Sequence, residues 1–158
     1  MMNMELAKRK SPRIRGFDYS NPNYYFVTIC SHEKECIFGN PGCLNYNGKA
    51  AELCLQKIQD IYPWILVDKY VVMPNHVHVI LIVNETDKNI PITSIVGQYK
   101  MAVTKMVRKL EPDKIVWQRS FHDHVIRSQK SYEKIWCYIE DNPRKWEEDC
   151  FYIRCRED

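Results

Sequence analysis

The chain has 158 residues, a length that predicts one domain with its own hydrophobic core. Its composition, with 45% hydrophobic and 27% charged residues, excludes a wholly disordered protein. No apolar run approaches the roughly 20 residues that cross a bilayer, and no N-terminal apolar stretch is typical of a signal peptide. We therefore expect a cytoplasmic protein without a membrane partner.

The formal net charge of +3 is unevenly distributed along the chain. An N-terminal arm, residues 1–15, has a balance of +4, whereas residues 16–158 have a balance of −1. We expect the latter range to form the single domain. The arm suits an acidic polymer such as nucleic acid, although a solvated tail is the alternative. Its basic residues are Lys8, Arg9, Lys10, Arg13 and Arg15.

The first third of the chain predicts one strand, one loop and one helix. Tyr24–Cys30 is rich in aromatic and β-branched residues, which favour a strand. Glycine, proline and asparagine residues between positions 39 and 48 predict a long loop. The imperfect apolar stripe over residues 49–62 predicts a helix, which Pro63 ends.

The next two apolar segments predict an antiparallel hairpin. Ile65–Met73 and His76–Val83 are joined by the short turn at Pro74–Asn75. Alternate residues of a strand project to opposite faces of its sheet. One face of the second strand carries Val77, Val79, Leu81 and Val83, and the other carries His76, His78, Ile80 and Ile82. Because both faces are largely apolar, we expect both to be covered.

The second half of the chain predicts two helices and a strand. A helix follows from an apolar repeat at three and four residues, and Phe121–Arg127 follows as a fourth strand. Ser131 is a suitable N-cap for a last helix from Tyr132 to about Asp141. The repeat comprises Ile92, Ile95, Val96, Tyr99, Val103, Met106, Val107 and Leu110.

The order of elements is βαββαβ followed by a terminal helix. This order predicts an α+β fold, a ferredoxin-like antiparallel sheet with an additional C-terminal helix. In that topology the two long helices cover one face of the sheet. We therefore expect the terminal helix to cover the other face, which carries the histidines.

Candidate chemistry is concentrated on that face. His76 and His78 lie two residues apart on a strand, about 6–7 Å at the backbone, and could converge on one metal ion. A structural histidine pair is the alternative. Tyr138 lies at the flank of the apolar stripe of the terminal helix, one turn before Asn142. A metal ion with free coordination positions can bind a phosphate oxygen, and a nearby tyrosine hydroxyl can attack phosphorus.

The seven cysteines show no C-x-x-C spacing. We expect reduced thiols, several of them buried, as is usual in the cytosol. A zinc site formed by His32 among Cys30, Cys36 and Cys43 is the alternative.

Three segments together resemble a known family. They are Met73-Pro-Asn-His-Val-His78, Val116-Trp-Gln-Arg-Ser-Phe-His-Asp-His-Val-Ile-Arg127 and Tyr138-Ile-Glu-Asp-Asn-Pro143. In this combination and order they resemble the HUH-type single-tyrosine transposases, most closely the REP-associated tyrosine transposases. These proteins are relatives of the small insertion-sequence transposases that act on single-stranded DNA.

The resemblance implies a ferredoxin-like fold, a Mg²⁺ or Mn²⁺ site and recognition of hairpins in single-stranded DNA. It also implies cleavage through a 5′-phosphotyrosine intermediate, with later rejoining of strands. His76 and His78 match the metal-binding pair, Tyr138 the nucleophile and Asn142 the third ligand. Many insertion-sequence members have glutamine at that last place. Both a monomer and a homodimer are compatible with the resemblance.

Further basic residues are candidates for DNA contact. Lys100, Arg119 and Arg127 could bind phosphates, although each could also be a solvated surface residue. His122 and His124 could contact DNA or support the metal site, with a structural role as the alternative. Three rival functions stay open: a non-catalytic nucleic-acid-binding module, a domesticated transposase that only binds, and a metal-dependent hydrolase that would not need Tyr138.

Overall fold

The computed structural model of the protein describes residues 15–84 and 90–156. Its strands are β1 (Asn23–Cys30), β2 (Gly39–Asn40), β3 (Cys43–Leu44), β4 (Ile65–Met73), β5 (His76–Val83) and β6 (His122–Ile126). Its α-helices are α1 (Tyr46–Gln56), α2 (Ile58–Ile61), α3 (Ile92–Val107) and α4 (Gln129–Asp141). Single 3₁₀ turns cover His32–Lys34 and Trp146–Glu148.

The four long strands form one antiparallel sheet in the order β4-β5-β1-β6. The predicted α+β class is therefore confirmed, and β4 and β5 have the predicted bounds. The central strands are β1 and β5, so β5 has a hydrogen-bonded neighbour on each side. This central place holds the two histidines of β5 on a rigid strand.

The predicted loop between residues 39 and 48 contains structure of its own. β2 and β3 form a two-stranded hairpin, and α1 begins at Tyr46 instead of residue 49. The side chain of Asn45 caps α1 by accepting a hydrogen bond from the Gly48 N–H at 2.9 Å. A Cβ on Gly48 would lie 2.2 Å from the Phe38 carbonyl oxygen, so this close approach needs glycine.

The three predicted helices also differ from the observed ones at their ends. The helix predicted over residues 49–62 is two helices, α1 and α2, separated by Lys57. α3 ends at Val107, and the side chain of Leu110 is exposed. α4 begins three residues early because Ser128 is its cap: the Ser128 hydroxyl accepts from the Ser131 N–H at 3.1 Å.

The two faces of the sheet pack against different elements. On one face, α1 and α3 bury the aliphatic side chains of β5 in the main hydrophobic core. On the other face, α4 brings Ile139 against Ile80 and Ile82. The prediction that the terminal helix covers the face with the histidines is confirmed. Within the described ranges, no helix is long and apolar enough to cross a membrane.

A disulfide bond joins Cys36 to Cys155 across 119 residues of sequence. The expectation of reduced thiols is therefore wrong for this pair, because its separation leaves no local spacing that sequence patterns could reveal. It also removes Cys36 from the zinc site considered as an alternative. The bond fixes the segment around Cys155 beside the loop that follows β1. The free cysteines are Cys30, Cys43, Cys54, Cys137 and Cys150.

Candidate active site

Two fully buried histidines begin strand β5. The side chains of His76 and His78 are 0% and 1% exposed, and their ring centroids lie 4.5 Å apart. The tight turn at Pro74–Asn75 places His76 at the first position of the strand, and the alternation of the strand brings His78 to the same face. Buried imidazoles need polar partners, so their hydrogen bonds define the site.

In each histidine, Nδ1 contacts a polar side chain behind the ring, and Nε2 faces the site. His76 Nδ1 lies 2.7 Å from Asn75 Oδ1, while its Nε2 is buried and accepts no hydrogen bond from the residues that the structure describes. His78 Nδ1 lies 2.7 Å from Thr28 Oγ1, and its Nε2 lies 3.4 Å from the hydroxyl of Tyr138. This is the arrangement usual for metal-ligating histidines, which are oriented through the second ring nitrogen.

A carboxylate that the sequence analysis missed completes the cluster. Asp149 lies after the last 3₁₀ turn, where the chain folds back, and its side chain is fully buried. Its Oδ2 lies 4.0 Å from His76 Nε2 and accepts hydrogen bonds from the Tyr138 hydroxyl, at 3.3 Å, and from the Asn142 amide. The possible ligand atoms of His76, His78 and Asp149 lie within 4.8 Å of one another.

Asn142 caps the C-terminal end of α4 and turns its side chain into the same site. The residue is buried, and in the described part of the chain its Oδ1 has no hydrogen-bond partner. Two buried electron-pair donors, His76 Nε2 and Asn142 Oδ1, are thus unsatisfied, which costs about 1–3 kcal/mol for each atom. A divalent cation would satisfy both, so the donor set of two imidazoles, one carboxylate and one amide oxygen fits a metal.

Burial sets the protonation states of the site. It lowers the pKa of His76 to about 4, although the carboxylate of Asp149 and the amide of Asn142 oppose the shift. Burial, and secondarily the neighbouring His76, hold the pKa of His78 well below 6.5. Both rings are therefore neutral at pH 7, which is the form that binds metal. Burial and the charge of Asp149 raise the pKa of Tyr138, so its phenol is protonated.

Tyr138 stands between the buried cluster and solvent. Its side chain is 39% exposed, and its ring packs edge-on against His78 and Phe26, with centroid distances of 5.2 and 6.4 Å. The hydroxyl opens on a cavity of about 320 Å³ that Lys134 and Lys145 also line. A phosphate in this cavity would meet the hydroxyl, two lysines and the oxygen atoms of Asn142 and Asp149.

The structure brings four of the predicted site residues together, namely His76, His78, Tyr138 and Asn142. It places the predicted DNA-binding residues elsewhere. Lys100 and Arg119 line a groove beside α3, where the Lys100 ammonium donates to the Gln118 carbonyl at 2.6 Å. Arg127 is exposed and lines a separate cavity at the start of α4. Arg15 is exposed, whereas Lys8, Arg9, Lys10 and Arg13 lie outside the described residues.

His122 and His124 lie on the same face of the sheet as the cluster but two strands away. In the register of the sheet, Thr28 pairs with His78 on one side and with His122 on the other. Phe26 pairs in the same way with Ile80 and His124. Both histidines of β6 are exposed.

Comparisons with known proteins agree with the fold and the family motifs. Residues 18–142 match the family model described as "Transposase IS200 like". An uncharacterized protein of Haemophilus influenzae (strain Rd) is 35% identical, and the match covers 96% of this chain and 97% of the relative.

Two solved structures share the fold. One is a REP-associated tyrosine transposase bound to a REP hairpin, with a TM-score of 0.61, 20% identity and coverage of 85% of this chain and 73% of that chain. The other is a protein of Deinococcus radiodurans R1 described as a candidate transposase, with a TM-score of 0.53, 18% identity and coverage of 82% and 95%. By its family match, this chain belongs to the IS200-like transposases and is an enzyme of the HUH-type, single-tyrosine class.

Proposed function

We propose that the protein is a metal-dependent endonuclease and strand transferase that cleaves single-stranded DNA near hairpins, with Tyr138 as the nucleophile. One observation carries the proposal. The Tyr138 hydroxyl lies 3.4 Å from His78 Nε2 and 3.3 Å from the Asp149 carboxylate, at the mouth of an open cavity. A hydroxyl that could act as the nucleophile, atoms that could bind a metal and room for a phosphate thus lie together, which supports the proposal.

The metal we propose is Mg²⁺ or Mn²⁺, held by His76 and His78 with oxygen atoms of Asp149 and Asn142. Two imidazoles with two oxygen donors suit Mn²⁺, and they suit Mg²⁺ when water and phosphate complete the shell. When bound, such an ion polarises a non-bridging phosphate oxygen and stabilises the charge that develops at phosphorus. The sequence motifs imply His76, His78 and Asn142 as ligands, and we add Asp149 to this set because it lies in the same cluster.

The covalent step that we propose uses the phenol of Tyr138. Its oxygen forms a bond to phosphorus, the bond from phosphorus to the 3′-oxygen breaks, and the phenol proton passes to Asp149, which already accepts its hydrogen bond. The leaving 3′-oxygen takes a proton from water and becomes a free 3′-hydroxyl. Attack by a 3′-hydroxyl on the 5′-phosphotyrosine reverses the step and rejoins DNA.

A groove beside α3 is the surface we propose for the DNA hairpin. It has a volume of about 770 Å³, and its lining, taken over the described residues, includes several basic side chains and no acidic one. The exposed Lys105, Lys109 and Arg119 can reach the phosphates of a hairpin stem. The hairpin bound to the structurally similar transposase supports this partner. The basic residues of the groove are Lys100, Lys105, Arg108, Lys109 and Arg119.

One chain supplies every residue of the proposed catalytic site. The cluster of His76, His78 and Asp149 and the side chains of Tyr138 and Asn142 meet within a single copy. We therefore propose that a monomer suffices for cleavage. A homodimer would then serve strand exchange between two DNA ends, and not the assembly of the site.

The test is covalent capture of the DNA. A labelled single-stranded hairpin with a 5′ or 3′ flank is incubated with Mn²⁺ and run on a denaturing protein gel. We expect wild type to give a slower, labelled band and Tyr138→Phe to give none. Tyr132→Phe is the matched control, because it removes a hydroxyl from the same helix, bonded at 2.6 Å to Asp68.

The outcomes separate the rival functions. A labelled band that persists in Tyr138→Phe shows that another residue is the nucleophile. Cleavage without any covalent band, unchanged in Tyr138→Phe, indicates a hydrolase that uses water. Binding without cleavage in wild type indicates a non-catalytic or domesticated protein.

A further inference from the structure

Asn75 is a buried residue directly before His76, and its side-chain amide makes three contacts. The NH₂ group donates to the main-chain carbonyls of Lys34, at 3.2 Å, and of Phe151, at 2.9 Å. The amide oxygen lies 2.7 Å from His76 Nδ1. The side chain is 0% exposed, so water cannot replace these partners from bulk solvent.

The partners of Asn75 fix the orientation of its amide. If the oxygen and nitrogen exchanged places, the oxygen would face two carbonyl oxygens, and three acceptors would meet without a hydrogen between them. The NH₂ group must therefore face Lys34 and Phe151, and the oxygen must face His76. An amide oxygen only accepts hydrogen bonds, so His76 Nδ1 must carry the proton of that contact.

This contact determines the tautomer of His76. In a neutral imidazole one nitrogen carries the hydrogen and the other has a lone pair. With the proton on Nδ1, the lone pair is on Nε2, which faces Asp149 at 4.0 Å and accepts no hydrogen bond from any described residue. The contact of His78 differs, because the hydroxyl of Thr28 can either donate or accept and selects no tautomer.

We propose that Asn75 is a positioning residue that holds His76 in the Nδ1–H tautomer and aims its Nε2 lone pair into the cluster. The same amide donates a hydrogen bond to the Phe151 carbonyl, and this bond fixes the segment that contains Asp149 and Phe151. One side chain thus sets the geometry of two ligands from distant parts of the chain. This inference rests on the proposed metal site, but it makes a statement about the metal-free protein that can be tested separately.

The first experiment reads the tautomer directly. Long-range ¹H–¹⁵N correlation spectra of metal-free protein labelled at histidine distinguish Nδ1–H from Nε2–H. We expect His76 to be Nδ1–H in wild type and in Asn75→Asp, whose carboxylate still accepts from that nitrogen. In Asn75→Ala the acceptor is gone, and we expect the Nε2–H form to appear. Wild-type His76 in the Nε2–H form, or an unchanged tautomer in Asn75→Ala, would overturn the inference.

The second experiment measures Mn²⁺ affinity by calorimetry, with the fold of each variant checked by circular dichroism. Loss of a residue that orients a metal ligand typically weakens affinity by about 10–100-fold. We expect this loss in Asn75→Ala and a smaller one in Asn75→Asp. The matched control is Asn47→Ala, which removes another buried amide, bonded at 3.2 Å to Glu111 in the other half of the molecule.

The two failures are distinguishable. If wild type does not bind Mn²⁺, the proposed metal site is wrong whatever the tautomer. If wild type binds Mn²⁺ and Asn75→Ala binds it equally tightly, the role of Asn75 is wrong and the metal site stands. If Asn47→Ala weakens binding as much as Asn75→Ala does, the effect is one of general stability, and the positioning role is excluded.

Discussion

The two faces of strand β5 are equally buried but differ in chemistry. All eight residues of the strand are buried. On one face Val77, Val79, Leu81 and Val83 belong to the core beneath α1 and α3. On the other, Ile80 and Ile82 pack against α4, while His76 and His78 share a site with unsatisfied polar atoms.

This difference shows how one strand serves both folding and function. Aliphatic side chains are satisfied by any close packing, so α1 and α3 suffice for the first face. Buried imidazoles need specific partners, and these come from β1 (Thr28), the turn (Asn75), α4 (Tyr138) and the C-terminal segment (Asp149). The second face is therefore complete only when the segment that contains Asp149 is packed against it.

The largest effect is expected from removing an imidazole on the functional face. His78→Ala should abolish Mn²⁺ binding and slow cleavage by about 10³-fold, since a metal ion contributes several kcal/mol to the transition state. DNA binding should change little, because it depends on the basic surface. Calorimetry with Mn²⁺, a cleavage assay and a binding assay measure the three quantities. Normal cleavage by the variant would show that His78 is not needed for catalysis and would contradict its assignment as a metal ligand.

The opposite pattern is expected from the core face. Leu81→Ala should lower the free energy of unfolding by about 2–5 kcal/mol, because it leaves a cavity among buried side chains. Cleavage per folded molecule, measured well below the melting temperature, should be unchanged. Urea denaturation and the cleavage assay test this pair of expectations. A specific loss of cleavage in a folded Leu81→Ala would show that the two faces are coupled.

A smaller effect is expected from the groove beside α3. Lys105→Ala should weaken hairpin binding and reduce the slope of log affinity against log salt concentration by about 0.9 for each stem phosphate no longer neutralised. Lys57→Ala, an exposed lysine outside the groove, is the matched control. Fluorescence anisotropy over a range of salt concentrations measures both. Equal slopes for the two variants would indicate that the hairpin binds to another surface.

Much of this organisation could be predicted from sequence because it is locally encoded. The alternation of β5 places both histidines on one face, and β4 and β5 have the predicted bounds. The helical spacing of Tyr138 and Asn142 brings both side chains to the cluster, where Tyr138 contacts His78 and both residues contact Asp149. Here the period of the element alone determines which side chains share a face.

The rest depended on contacts between distant segments. Asp149 lies after a 3₁₀ turn without periodicity, and only the folding back of the chain brings it to His76. Ser128 and Ser131 are equally suitable caps by residue type, and the observed choice of Ser128 sets the start of α4. The amide of Asn75 was predicted as part of a turn, whereas its role depends on the carbonyls of Lys34 and Phe151.

The most direct test of the metal site is a crystal structure of the protein grown with Mn²⁺, with data collected at the manganese absorption edge. We predict a single anomalous peak bounded by Nε2 of His76, Nε2 of His78 and one oxygen each of Asp149 and Asn142. A peak that lies out of reach of either oxygen would remove that residue from the proposed ligand set. No peak in this cluster, or a peak only elsewhere at the same Mn²⁺ concentration, would contradict the claim that His76 and His78 belong to a metal-dependent catalytic site.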